Sequence, residues 1–473
     1  MKFALGLALS LLMGAAACSA APSDYERARA GTPVMEATVA VAEEVAGAPG
    51  RYDLTLKLRD EAPVWIFLRS GLARDDRTSW RAQSWKVITD GVELVRIGHH
   101  EALVASDGGY LPPTVEIAFT PYERMLEADY QPAVPLGEAT ALFSDHFTLR
   151  PAASVAAVQS LGADWTMLPD YAGGHPLVRF REGFHHGSDE GPFALEAPAY
   201  VVHGEVPSTG NRAIAMRVHP GVPDWLTTQL ETEIPAILGY YADRLGPHDN
   251  GRPDLFVTWA GPTQGTVSLG GSVIDSQIVM RLEGEGLAVP STIAGRQARQ
   301  FIAHEAAHFW LGNLVDYGRP GDAWTSEGGA DLLALRATQA VDAAEGAALE
   351  ARTLRSSWRE CLRLGAGGPL ASAPERGAGQ AFYGCGFLFG LVAEKAARDA
   401  GGDFFSFWSG LIDRHGGDGT VSAEEWLRHY VDIGGNQLAA ARMRGLAFNR
   451  ATDAEQLETL FAAAGLTPPE FQP

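Results

Sequence analysis

Between residues 35 and 205, apolar and polar positions alternate in short runs. Tyr52-Asp53-Leu54-Thr55-Leu56-Lys57-Leu58 puts every second side chain on one apolar face, the pattern of a half-buried strand. Val115-Glu116-Ile117-Ala118-Phe119 alternates again. Val64-Trp65-Ile66-Phe67-Leu68 is apolar throughout, as a strand covered on both faces would be. Gly, Pro, Asp and Ser fall between the runs. Short strands, frequent turn signals and no strong helical period predict an antiparallel β-sandwich over residues 35–205.

The pattern then changes. Residues 213–218, 254–259 and 276–282 read as strands, and 224–245 carries apolar residues at helical spacing, with Pro235 expected to kink or split it. Beyond Ser291 helix follows helix to the end. Strands over 206–285 followed by helices over 286–473 predict a second domain of the α+β class.

The 473 residues, 46% hydrophobic and 20% charged, suffice for two or three domains with sizeable cores. A formal charge of −21 with no Lys/Arg cluster excludes nucleic acid as the expected partner.

The N-terminus bears on location. Met1-Lys2 precedes an apolar stretch, residues 3–17, that is too short to span a bilayer but suits a signal-peptide core. Ala15-Ala16-Ala17 stands directly before Cys18, which resembles the bacterial lipoprotein signal; ordinary cleavage nearby is the alternative. The expectation is a signal peptide over 1–17, a polar tether over 18–34, and an exported protein, periplasmic or membrane-anchored through lipid on Cys18. In an oxidising compartment the other two cysteines, Cys361 and Cys385, either pair or stay as buried thiols.

The strongest chemical signal is His304-Glu305-Ala306-Ala307-His308 on the predicted helix 291–311. Residues i and i+4 lie one turn apart on the same face, so both imidazoles reach one ion. Glu305, one position along, contacts a water on that ion without binding the ion itself. Two imidazoles suit zinc, and a catalytic zinc takes three protein ligands and keeps one position open. Glu327 follows His308 after 18 intervening residues, in Trp324-Thr325-Ser326-Glu327-Gly328-Gly329-Ala330-Asp331. This segment reads as the first turn of the next helix, capped by Ser or Thr, and its carboxylate completes a two-His, one-Glu site. His99-His100 and His185-His186 alternate faces of a strand, make poor joint ligands, and read as surface histidines.

His304-Glu305-Ala306-Ala307-His308-Phe309-Trp310-Leu311-Gly312-Asn313, the spacing to Glu327 and the following Gly328 resemble the gluzincins of the membrane-alanyl-aminopeptidase and leukotriene-hydrolase family, over about residues 200–445. The resemblance implies a thermolysin-like catalytic domain, mixed sheet plus helices, behind an N-terminal β-sandwich. It implies one zinc ion held by His304, His308 and Glu327, with Glu305 as general base. Phe382-Tyr383-Gly384-Cys385-Gly386-Phe387-Leu388 is similar to the segment that supplies the family's oxyanion-binding tyrosine, here Tyr383. Asp331, one turn beyond Glu327, is the implied partner for the free ring nitrogen of His304.

The chain departs from the family at the strand that binds the substrate amine. Gly270-Gly271-Ser272-Val273-Ile274 stands where the family has Gly-x-Met-Glu-Asn, so Val273 replaces the glutamate. The glycines keep an edge able to pair with substrate, and Asp275, on the same strand face as Val273, is a substitute carboxylate. The expectation is an exported zinc metallopeptidase acting on peptides or proteins, with exo- and endo-cleavage both open. The alternatives are a glycyl-aminopeptidase-like or non-peptide hydrolase on the same scaffold, and a zinc-stabilised peptide-binding envelope protein without turnover. Residues 413–425 imitate a calcium loop, but alignment on Gly419 puts Arg414 and Gly416 at ligand positions; no calcium site is expected, and Ser422 reads as a helix cap.

Overall fold

The computed structural model describes residues 33–42, 50–127, 129–162, 176–185, 191–195, 197–212, 214–248, 252–274, 276–416 and 419–470. The expected signal segment, Cys18 and most of the tether lie outside these residues, as do Asp275, His186 and part of the calcium-like loop. Among the described residues no helix is long and apolar enough to cross a membrane.

Among the described residues the N-terminal strands form three sheets of six, four and three strands. Their pairing there is antiparallel with one exception: Met35–Val41 lies parallel to Pro176–Phe180, correcting the all-antiparallel expectation. The chain returns to that edge only after a long excursion, and a long crossover permits the parallel pairing that a tight hairpin forbids. Val64–Phe67 is buried at all four positions because its sheet is covered on both sides. Trp65 and Phe67 enter the large core shared with the six-stranded sheet, while Val64 and Ile66 pack into a smaller core with Val158.

The three-stranded sheet (Ala133–Leu136, Ala139–Phe143, Tyr200–His203) joins this region to the rest. Its Phe143, Tyr200 and Val202 share a core with Phe256 and Val279 of the next sheet. Gln277 ties the two together: its Oε1 accepts from the Tyr200 N–H at 2.6 Å and its Nε2 donates to the Tyr200 carbonyl at 2.9 Å.

That next sheet has five strands, in the order Thr209–Gly210, Ala215–Val218, Asp254–Trp259, Gln277–Glu283, Ser268–Ile274. The middle three are parallel, and Ser268–Ile274 closes one edge antiparallel to Gln277–Glu283. Residues 224–245 form one helix that continues past Pro235 without splitting. Leu230, Ile234, Ile237, Leu238 and Tyr241 are buried along it, and this packing outweighs the one backbone hydrogen bond that proline removes.

Eight longer helices follow among the described residues. Several start at side-chain caps, including Ser291, Asp403, Asn436 and Asp453. Ser422 caps Ala423–Asp432 in a reciprocal box with Glu425, as the sequence suggests. The helix Trp324–Val341 behaves differently: Ala323 precedes it, and Thr325 and Ser326 lie inside its first turn, donating back to the carbonyls of Asp322 and Ala323. The histidine pairs also need correction. His99 is exposed, but His100 is buried with its Nε2 3.0 Å from the Gly162 carbonyl, and His185 is half-buried against the Phe193 ring.

Candidate metal centre

The site begins with the helix Thr292–Ala307, which buries a narrow face of Ala294, Ala298, Ile302, Ala303, Ala306 and Ala307. These small residues let the last turn sink into the core and carry His304 and Glu305 with it; both are buried. His308 is the C-cap but keeps right-handed helical backbone angles, so the one-turn offset from His304 survives. The chain then turns at Gly312, whose φ of +138° favours glycine. The same turn presents the Leu311 carbonyl to His308 Nδ1 at 2.8 Å.

Glu327 arrives on the first turn of Trp324–Val341, and one turn later Asp331 Oδ1 lies 2.8 Å from His304 Nδ1. With both Nδ1 atoms engaged, His304 and His308 direct Nε2 toward one point, where those atoms are 3.1 Å apart. Glu327 Oε2 lies 3.4 and 3.5 Å from the two Nε2 atoms. It is buried and lacks a hydrogen bond of normal geometry. Two imidazole nitrogens and an orphaned carboxylate oxygen, all within 4.8 Å of one another, are the donor set of a three-ligand zinc site. The residues fit the metal.

A close helix contact decides where Glu327 points. A Cβ at Gly328 would stand 2.1 Å from the carbonyl carbon of Gly386, and one at Gly386 would stand 2.2 Å from the Trp324 carbonyl oxygen. Only glycine at both positions lets Trp324–Val341 and Ala381–Asp399 lie backbone to backbone. This contact carries Tyr383, on the first turn of Ala381–Asp399, to the site, where its ring stacks on His304 with centroids 5.6 Å apart. Cys361 and Cys385 form a disulfide that ties the helix Ala343–Gly365 to the tyrosine helix, resolving the alternative left open by their positions.

The electrostatics follow from burial among charges. Burial raises the Glu305 carboxyl above its ordinary range, with the imidazoles opposing. Burial works against the Glu327 carboxylate, but His308 and His304 hold its pKa well below the usual range. Burial, then the charges of Glu327 and Glu305, push the Tyr383 phenol far up, so it stays a protonated donor. His304 is raised because Asp331 outweighs the burial that would lower it.

These groups line a cleft of about 400 Å³. Gly271 forms part of its lining, and a Cβ there would meet Phe301 Cζ at 2.7 Å and Glu305 Cδ at 3.3 Å, so glycine lets the edge strand lie on the motif helix. Gly270 does not belong to the lining and has open space beside it, while Asp275 falls outside the described residues. The cleft also contains residues that sequence reasoning missed: Tyr317 and Asp316, in the turn before the glutamate helix, and Tyr130, from the loop that leads into Ala133–Leu136. No local pattern around Tyr130 marks it; only the docking of the three-stranded sheet brings it there.

The fold is similar to that of several solved structures. An aminopeptidase N family protein from Idiomarina loihiensis matches with a TM-score of 0.59 and 10% identity, over 90% of this chain and 78% of that one. Native yeast LTA4 hydrolase matches with a TM-score of 0.51 and 13% identity, over 89% of this chain and 68% of that one. At these identities the likeness is one of fold alone: several sheets and many helices, consistent with an aminopeptidase-like fold. No protein-family model and no curated protein sequence matches the chain.

Proposed function

We propose that this chain is an exported zinc-dependent peptidase that hydrolyses peptide bonds with an activated water. The convergence of His304, His308 and Glu327 around one point, with Glu305 beside it, carries the reading. His304, His308 and Glu327 would hold the zinc, which would supply Lewis acidity toward the scissile carbonyl and the attacking water. Glu305, buried and with its carboxyl pKa raised by that burial, takes a proton from that water. The water oxygen bonds to the carbonyl carbon, the C–N bond breaks, and the proton held by Glu305 passes to the departing nitrogen. The Tyr383 hydroxyl donates to the oxyanion that grows in the transition state. Asp331 fixes the tautomer and orientation of His304.

In this reading residues 35–205 are the β-sandwich domain and 206–473 the thermolysin-like catalytic domain. The apolar segment 3–17 and Cys18 support export with a lipid anchor, and the Cys361–Cys385 disulfide suits an oxidising compartment. The decisive experiment compares wild type with Glu305→Gln. The variant should keep one zinc per chain and lose turnover by at least a factor of about 100; full activity in zinc-loaded Glu305→Gln would refute the mechanism.

A further inference from the structure

Three of the nine exposed large apolar side chains among the described residues fall within one short stretch of chain: Val267, Val289 and Ile293, at 45%, 63% and 68% exposure. Singly such residues are ordinary surface; a group of them in line with a cleft marks a contact.

Two elements lead from the metal centre to this group. The first is the helix Thr292–Ala307. Ile293 precedes His304 by eleven residues, close to three full turns, so both side chains leave the helix on one stripe, about 16 Å apart along its axis. The exposed Gln297 and the half-buried Phe301 lie on that stripe between them. The second is the edge strand Ser268–Ile274. A Cβ on Gly271 would touch Phe301 Cζ and Glu305 Cδ, so the strand meets the stripe beside the metal centre. Val267 stands four residues before Gly271, about 14 Å back along an extended chain. It packs onto Gly286, whose N–H donates to the Thr266 carbonyl at 3.3 Å. Val289 follows Gly286 by three residues, and the motif helix begins three residues after that.

The strand offers hydrogen bonds along the same path. The Tyr130 hydroxyl donates to the Val273 carbonyl at 3.1 Å from outside the sheet, which puts that carbonyl on the edge left unpaired among the described residues. Backbone groups alternate between the two sides of a strand, so Gly271 and Leu269 present N–H and carbonyl to that edge too. A peptide added antiparallel, the more stable arrangement, runs from the Val273 end toward Ser268, and its C-terminal part reaches the apolar group. Carboxylates border that end. Glu283 stands opposite Ser268 in the ladder, and Glu285 Oε2 accepts from the Gly265 N–H at 3.5 Å. They disfavour an acidic side chain there.

We propose that Val267, Val289 and Ile293 form a docking surface for the substrate itself, taking apolar side chains about three to five residues C-terminal to the bond that is cut. Continuity fixes the occupant: a chain bonded to Gly271 and Leu269 is delivered onto this surface. The substrate class is extended peptide that continues well past the cut, apolar in that segment and without acidic residues in it. The inference rests on the peptidase reading above and adds selection at a distance from the reacting bond.

The test uses zinc-loaded, full-length mature protein. A mixed peptide pool read by mass spectrometry first locates a cut sequence. Peptides of that sequence are then made with Leu or with Asp at the third to fifth positions after the cut bond, together with one truncated two residues after it. Wild type should favour the Leu peptide over both others by about tenfold or more in kcat/KM, mainly through KM. Ile293→Asp and Val267→Asp, at exposed positions, should reduce that preference to near unity, while Ile293→Leu and the remote Leu438→Asp keep it. Zinc-loaded Glu305→Gln, which binds without cutting, should show the same order of affinities by fluorescence anisotropy of labelled peptides. Glu305-dependent cleavage with equal KM for Leu and Asp peptides overturns the docking surface and leaves the peptidase reading intact. Folded Ile293→Asp and Val267→Asp that both retain the wild-type preference overturn it too; if neither variant folds, the wild-type and Glu305→Gln comparisons decide. Absence of any Glu305-dependent cleavage overturns the peptidase reading and the docking surface together.

Discussion

Replacing Gly328 by alanine tests whether one backbone contact assembles the site. The new Cβ would stand 2.1 Å from the carbonyl carbon and 2.3 Å from the Cα of Gly386, and 2.4 Å from the Phe387 nitrogen. Non-bonded carbons rest at about 3.5–4.0 Å, so the helices Trp324–Val341 and Ala381–Asp399 must separate by roughly 1.5 Å. All three obstructing atoms are backbone, and no rotamer change relieves them. Overpacking of this kind costs about 1–3 kcal/mol of stability. Glu327 sits one residue before Gly328, and Tyr383 three residues before Gly386, so the same separation draws the tyrosine from the reacting carbonyl. A displacement near 1 Å costs on the order of 100-fold in turnover. The assay is kcat and KM on a cleaved peptide, with zinc content and thermal midpoint measured alongside. Gly239→Ala, inside the helix Asp224–Leu245 with nothing within 4 Å of its added Cβ, is the matched control and should stabilise by about 0.5–1 kcal/mol. Gly328→Ala with wild-type kcat and melting temperature would refute the argument that this close approach positions the site.

Asp331→Asn should weaken zinc affinity about 10- to 100-fold, read by competition with a chelator, because the variant holds the His304 ring less firmly; unchanged affinity would leave Asp331 as an ordinary helix carboxylate. Removing the Cys361–Cys385 bond by a double Cys→Ala change should lower unfolding free energy by about 3 kcal/mol, given a loop of 24 residues; equal denaturation midpoints for the two proteins would contradict this. His203 is buried between the Tyr52 and Phe180 rings with neither ring nitrogen hydrogen-bonded among the described residues, and burial lowers its pKa to about 4. The unfolded chain therefore takes up a proton there below the ordinary pKa of 6.5 while the folded chain does not, so stability falls with pH from about 6.5 down to about 4. Between pH 7 and pH 5 the loss from this residue is about 2 kcal/mol, and His203→Phe should shrink the measured pH dependence by that amount. A parallel pH profile for variant and wild type would show that His203 ionises freely in the folded state.

Much of the chemistry was legible before any fold was known, because it is local. His304, Glu305 and His308 share a helix, and helical periodicity alone puts the two imidazoles on one face with the base beside them. Ser291 and Ser422 cap their helices through bonds that span three residues, and Tyr52–Leu58 alternates because a strand's two faces do. Periodicity says which face is apolar; it does not say what that face meets.

Everything that depended on a meeting was decided by tertiary packing. Pro235 lies within an unbroken helix because the core holds residues on both sides of it, and His100 is buried because its sheet is covered on its outer face. Thr325 and Ser326 failed as caps because the turn Pro320–Asp322 leads directly into the helix, leaving their hydroxyls to bond backward. Glu327 is marked by its spacing from His308, and Asp331 and Tyr383 by the family resemblance, but their convergence required Gly328 and Gly386 to touch, a relation between residues 58 positions apart. Tyr130 had no signal at all. It stands more than 170 residues before His304, and it reaches the cleft only because the sheet behind it packs on Phe256 and Val279. Residue order alone sets the helix that carries His304, Glu305 and His308, since short-range geometry suffices to put them side by side. The aim of Glu327, the reach of Tyr383 and the entry of Tyr130 into the cleft came from surfaces that meet only when the whole chain has folded.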